Sequence, residues 1–386
     1  MARAKLTLFT PGPVRIPPLV AEYLADPPCN YHRQAGFGEM FRRTQSDLKA
    51  LLGLRHPDET FATLLTTTGT GANEACLSTL SRAGSGVIVR NGFFGARLVD
   101  QARQNGLPHE VLDAPDDRPI DPAALESFLS SHPAARWVFF VAHETRAGLA
   151  NPLVDLGRTC RRRGLFVGAD MVSAAYAYPL DLEASGLDLA VTSSAKALGA
   201  VPGLGIVFTR IEAAERLATL PAPGGYYLDL LAEFEKQRRE GQPRFAQPVA
   251  LHAALHAACL HLSQVGIDNH FARIRRQMDD IAAFLGRLGL RPLLPAPYRS
   301  GVVVNFDLPR GMVYPEFSAR MEAEGFYLLY GIPGDHSHFQ VSTIGDLSDQ
   351  DVAGLEEALG RVLGRRAGAS RAERTADVRH ADGRQP

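Results

Sequence analysis

Short apolar runs recur through the first half of the chain, at 61–67, 86–90, 136–142, 164–169, 187–192 and 204–209, with helical patterns such as 72–82 and 153–163 between them. A strand apolar along its whole length is buried on both faces, so helices must cover both sides of its sheet. Alternation with those helices makes the sheet mainly parallel. The fold class is therefore α/β. In an open sheet of this kind, ligands sit beyond the carboxyl ends of the strands, so chemistry belongs in the turn after each run. The pattern divides the chain into a segment 1–15, a large unit 16–246, a long helical stretch 247–289 and a smaller α+β unit 290–364. From Arg365 to Pro386 apolar periodicity ends, and the residues read as a disordered tail.

With 386 residues and 45% apolar content, the chain has enough material for a large core. A formal net charge of −1 gives no electrostatic case for nucleic acid or an anionic membrane. No apolar run reaches membrane-spanning length, and the N-terminus breaks at Thr10-Pro-Gly-Pro13 before a signal sequence could form. The four cysteines, Cys29, Cys76, Cys160 and Cys259, are scattered without a CxxC, as expected of free thiols in a reducing cytoplasm. The twelve histidines show no ligand spacing, so no metal is expected.

Only four of the 41 basic residues are lysines. One of them, Lys196, follows the apolar run at 187–192 through Thr192-Ser-Ser-Ala. Arginine serves surface charge but cannot form an imine. A partly desolvated lysine has a lowered pKa and condenses with aldehydes. Taken alone, Lys196 reads equally as a strand-end side chain reaching for water. Its neighbours decide between the two. The run Gly164-Leu-Phe-Val-Gly-Ala-Asp170 ends on an acid, and a carboxylate at the end of a buried strand is costly unless a cation meets it. The protonated ring nitrogen of pyridoxal phosphate is such a cation. Upstream, Phe61-Ala-Thr-Leu-Leu-Thr-Thr-Thr-Gly69-Thr-Gly71 is a strand and a glycine turn opening a helix, where backbone amides can approach a phosphate.

These segments, with Tyr31-His-Arg33, Asn91-Gly-Phe-Phe-Gly-Ala-Arg97, His143-Glu-Thr-Arg-Ala-Gly148 and Pro202-Gly-Leu-Gly205, carry a resemblance. The chain resembles fold-type-I pyridoxal-phosphate enzymes of the class-V aminotransferase group over about Leu8 to Leu363. Within it, the 2-aminoethylphosphonate–pyruvate and alanine–glyoxylate enzymes are most similar. The resemblance implies a seven-stranded-type, mainly parallel sheet flanked by helices, a smaller C-terminal α+β domain, and a homodimer with shared active sites. It implies that Lys196 holds the coenzyme as an imine and that Asp170 binds the pyridine nitrogen. Phe94 would stack on the ring, Val172 would press on its other face, and Thr145 would bond its phenolic oxygen. Thr70, Gly71, Ala72 and Ser194 would receive the phosphate. The substrate would be a small amine.

Two positions depart from the family pattern. Gln340 stands in the strand where relatives place an arginine that clamps the substrate's acid group. Losing a bidentate guanidinium pair weakens that recognition unless another cation compensates. Arg15, His32, Arg33, Arg146, His336 and His338 are the candidates, and Arg146 stands out because it replaces a small residue beside Thr145. Ala246 replaces a threonine that in relatives reaches the neighbour's phosphate, with Gln247 as its possible substitute. Amino transfer from a phosphonate-type amine to a keto acid is the leading expectation. A C–S lyase or decarboxylating deaminase acting on a cysteine S-conjugate in specialised metabolism stays open, as does a non-catalytic binding role.

Overall fold

The computed structural model describes residues 5–221, 225–332 and 334–380, with side chains as far as 364. Its thirteen strands begin with β1 (Thr7–Leu8), β2 (Thr60–Leu65), β3 (Gly86–Arg90), β4 (His109–Asp113) and β5 (Trp137–Val141). A small hairpin follows, β6 (His143–Glu144) and β7 (Leu149–Ala150), then β8 (Phe166–Asp170), β9 (Leu189–Ser193) and β10 (Gly205–Arg210). The last three are β11 (Val303–Asp307), β12 (Phe326–Tyr327) and β13 (His338–Ser342).

Seven strands form the main sheet in the order β2-β10-β9-β8-β5-β3-β4. All neighbours are parallel except β10, which runs antiparallel to both β2 and β9. The carboxyl ends of β2, β5, β8 and β9 therefore meet on one edge. Period-two alternation sends successive side chains into two separate cores, one on each face. Val138, Phe140, Val167, Ala190 and Phe208 join one core, while Trp137, Phe139, Val141, Val191 and Val207 join the other. Each large side chain so buried contributes about 2 kcal/mol. The apolar runs of the sequence match β2, β3, β5, β8, β9 and β10 to within about two residues at each end. The sequence pattern misses β4 because it lies at the sheet edge, half-buried, and carries His109, Glu110 and Asp113 rather than an unbroken apolar run.

The stretch 247–289 is two helices, Val249–Val265 and Ile267–Arg287. Gly266 separates them with φ +83°, a conformation that a side chain disfavours. Beyond them, β11 and β13 pair antiparallel, and Phe306, Phe317 and Phe339 centre a further core. That core also takes Phe9, and β1 pairs parallel with β12, so the N-terminal segment is anchored to the C-terminal unit before crossing to the main sheet. The last helix, Asp349–His380, runs through much of the stretch from Arg365 for which the sequence pattern predicts disorder. Its alanines and arginines favour helix without needing an apolar stripe. Residues 381–386 lie outside the described residues.

Candidate active site

Asp170 is the last residue of β8, and the adjacent β9 ends at Ser193, three residues before Lys196. Because the two strands are parallel, both side chains arrive at the same edge, where they line one cavity of about 570 Å³. Thr70, Phe94, Thr145 and Val172 line it too. The backbone of Lys196 is left-handed, with φ +63°, at a cost of about 1–2 kcal/mol for a residue with a side chain. Two backbone bonds hold that turn, from the Gly199 N–H to the Lys196 carbonyl and from Ala200 to Ser194, both 3.0 Å. The strain directs the amine inward. Gly12, in the N-terminal segment, has φ +152°, which favours glycine, and an ideal Cβ there would lie 2.5 Å from Lys196 Nζ, so that segment passes directly over the amine.

Burial pushes the Lys196 amine down to about 8, and the positive charges of Arg146 and Arg97 act in the same direction while Asp170 opposes them. Burial raises the Asp170 carboxyl, countered by N–H donors from Val172 (2.8 Å) and Asn73 (2.6 Å). Thr145 Oγ1 lies 2.5 Å from Ser173 Oγ, which is 3.0 Å from His143 Nδ1. Burial takes that imidazole down to about 4, so it is neutral at physiological pH. Buried Glu144 accepts the Phe94 N–H at 2.8 Å and the Arg146 N–H at 3.0 Å, tying two walls of the cavity together. Burial pushes its carboxyl up to about 7.

Other expected residues lie elsewhere. Ala72 is fully buried, and Gly71 is packed so that a Cβ would meet Thr67 Oγ1 at 2.0 Å. The Ser194 hydroxyl donates to the Val201 carbonyl at 2.6 Å and so is already engaged. The residues of this turn that line the cavity are Thr68, Gly69 and Thr70, two residues earlier than expected. Gln247 accepts from Thr66 Oγ1 at 2.7 Å, behind the same turn. Among the candidate substitutes for an arginine at 340, Arg15 pairs with both oxygens of Asp351 (3.0 and 2.9 Å). Arg33 donates to Gln242 and the Pro243 carbonyl, and His32 lies against Tyr31 and Phe37. His338 is fully buried and accepts the Ile332 N–H, and His336 is exposed. Arg146 alone of that set contributes charge at Lys196.

The residue-by-residue reading passes over Gly12, Asn73, Arg97, His143 and Ser173, all of which line the cavity. Two of them carried a usable signal. Arg97 lies three residues after Phe94 on the helix Gly92–Gln104, and so shares its face. Asn73 is a polar residue among the buried positions of the earlier helix Gly69–Leu80.

An α/β sheet with a strained, desolvated lysine and a buried carboxylate on one edge has the two groups that an enzyme working through a lysine imine needs. The chain belongs to the class-V aminotransferase family, which it matches over residues 21–312. A 2-aminoethylphosphonate–pyruvate transaminase of Paraburkholderia phymatum is 31% identical over 361 residues, 92% of this chain and 96% of the relative. Among solved structures, an alanine–glyoxylate aminotransferase from Nostoc sp. superposes with a TM-score of 0.85 at 26% identity, covering 94% and 96% of the two chains. An aspartate aminotransferase of Thermus thermophilus gives 0.82 at 29% identity, covering 93% and 99%. The protein is thus an enzyme of the aminotransferase kind with pyridoxal 5′-phosphate as its cofactor.

The cavity fits that group. Asp170 is a buried carboxylate with no ion pair to a cation among the described residues, the state a protonated ring nitrogen would complete. The helix Gly69–Leu80 opens without a side-chain cap, which leaves its first amides for an anion. Among the described residues, no helix is long and apolar enough to cross a membrane, and no cluster of residues could hold a metal ion.

Proposed function

We propose that the enzyme transfers an amino group between a small acid-bearing amine of the 2-aminoethylphosphonate type and a keto acid such as pyruvate. The observation that carries this is the joint placement of Lys196 and Asp170 in one cavity. Bound there, the coenzyme supplies an electron sink for the carbanion at the substrate's Cα. Lys196 would hold the coenzyme through its neutral amine, and the same amine is the group placed to move a proton at the substrate's Cα. Asp170, held in place by Asn73 and Val172, would keep the ring nitrogen protonated. Phe94 and Val172, which line the cavity, would confine the ring, Thr145 with Ser173 would bond its phenolic oxygen, and the amides of Gly69 and Thr70 would receive the phosphate. Gly71 and Ala72 continue that turn into the helix, Gln247 accepts from Thr66 just before it, and Ser194 ties the loop after β9 through the Val201 carbonyl. A two-fold homodimer and a cytoplasmic location complete the proposal.

The test is keto-acid dependence. Purified enzyme incubated with 2-aminoethylphosphonate should yield alanine and an aldehyde only when pyruvate is present. Release of pyruvate or a thiol from cysteine conjugates without any keto acid would replace this reading with a C–S lyase.

A further inference from the structure

Gln340 does not reach the cavity. It is fully buried in β13, and its Nε2 donates to the carbonyls of Thr145 (2.9 Å) and Arg146 (3.0 Å) and to Asn305 Oδ1 (3.2 Å). Asn305, its register partner on β11, donates to the carbonyls of Arg146 (2.8 Å) and Ala147 (2.9 Å). Two paired side-chain amides are therefore spent on three consecutive backbone carbonyls of one turn. A Cβ on Gly331 would come within 2.1 Å of Asn305 Oδ1, so that corner has no slack. Arg146 closes the arrangement by donating Nη1 to the Gly331 carbonyl at 3.2 Å.

The turn so braced presents Arg146. Its guanidinium lies 5.0 Å from the centre of the Phe93 ring and 5.2 Å from that of Tyr330. Arg97 approaches the same Phe93 ring at 5.1 Å and Phe94 at 4.8 Å. The two cations are thus no further apart than the sum of their distances to one shared ring. Both are half-buried, both act on Lys196, and neither forms an ion pair among the described residues. Two like charges that share one ring and form no ion pair favour an anion able to reach both.

We propose that Arg97 and Arg146, spanning the Phe93 ring, hold the substrate's acid group in place of a cation at position 340, and that they favour a phosphonate over a monocarboxylate. The proposal rests on the functional reading above. Arg97 offers a planar fork of donors and Arg146 its donors beyond the Nη1 spent on Gly331, and a phosphonate brings three oxygens and between one and two negative charges, enough for both. A monocarboxylate has oxygens and charge for one. Gln340 is then a positioning residue that acts through the turn at 145–147.

The experiment is calorimetric titration of the coenzyme-loaded enzyme with methylphosphonate and with propionate, neither of which carries an amine. The wild type should bind methylphosphonate at least about fivefold more tightly than propionate. Arg146→Met and Arg97→Met should each weaken methylphosphonate at least about tenfold and erase the preference, and Arg146→Lys should fall between. In steady state, Arg146→Lys should raise KM for 2-aminoethylphosphonate more than it lowers kcat. The coenzyme's visible absorption band reports that each variant is folded. Methylphosphonate binding that is indifferent to Arg146→Met overturns the proposal, as does wild-type enzyme that prefers propionate or binds neither. Wild-type chain that takes up no coenzyme refutes the functional reading instead.

Discussion

Replacing Lys196 by methionine should make the coenzyme-free protein more stable, not less. Methionine ends at Cε, one atom short of lysine, and faces the same left-handed backbone at this position, so the change chiefly removes the amine. Burial takes that amine from 10.5 to about 8, a value already net of the opposing pull of Asp170. At about 1.4 kcal/mol per pH unit, the penalty is about 3 kcal/mol. Its sign follows from proton counting. Below pH 8 folded and unfolded chains both hold the proton, and the penalty is fully present. Between 8 and 10.5 only the unfolded chain holds it, so stability rises with pH. Above 10.5 the penalty is gone. For a chain of 386 residues, 3 kcal/mol corresponds to a rise in thermal midpoint of roughly 4 °C at pH 7, shrinking to about 1 °C at pH 10. The assay is calorimetry or circular dichroism on coenzyme-free protein across that range. A midpoint equal to wild type at pH 7, or a gain that persists undiminished at pH 10, would refute the claim that the amine is desolvated before the coenzyme binds.

Three further outcomes are expected. Coenzyme uptake requires the neutral amine, so its rate, followed by stopped-flow absorbance, should rise with a midpoint near pH 8. At pH 7 that gives roughly 300 times more reactive amine than an ordinary lysine, and a midpoint above pH 10 would contradict it. Asp170→Asn removes the charge but keeps an acceptor for Val172 or Asn73, and should weaken coenzyme binding by about 10- to 100-fold in equilibrium titration. Glu144→Gln should change sign with pH. The folded carboxyl titrates near 7 against 4.5 unfolded, so wild type loses about 3 kcal/mol between pH 4.5 and 7 while the glutamine variant does not. Because glutamine has one acceptor for two N–H donors, the variant should be less stable than wild type at pH 5 and more stable at pH 8; parallel denaturation curves at the two pH values would count against this.

Residues were legible in the sequence where one local rule fixed both structure and chemistry. Asp170 and Lys196 each follow an apolar strand, and parallel pairing of β8 with β9 puts strand ends on one edge, so two separate sequence positions became one site. The glycine turn could be located but not phased. Sequence spacing does not say which of Thr68 to Ala72 faces the cavity; packing settles it, with Thr68 to Thr70 lining the cavity and Ala72 wholly in the core. Position 340 illustrates a different gap. The sequence records that an arginine is absent, and the natural inference is a weakened site. Only the pairing of β11 with β13 reveals that Gln340 and Asn305 face each other and share the task of bracing the turn at 145–147. A substitution that reads as a loss along the strand is, in three dimensions, a change in which element carries the cation. That relation joins residues 97, 146, 305 and 340, whose separations exceed any local periodicity, and so no window on the sequence contains it.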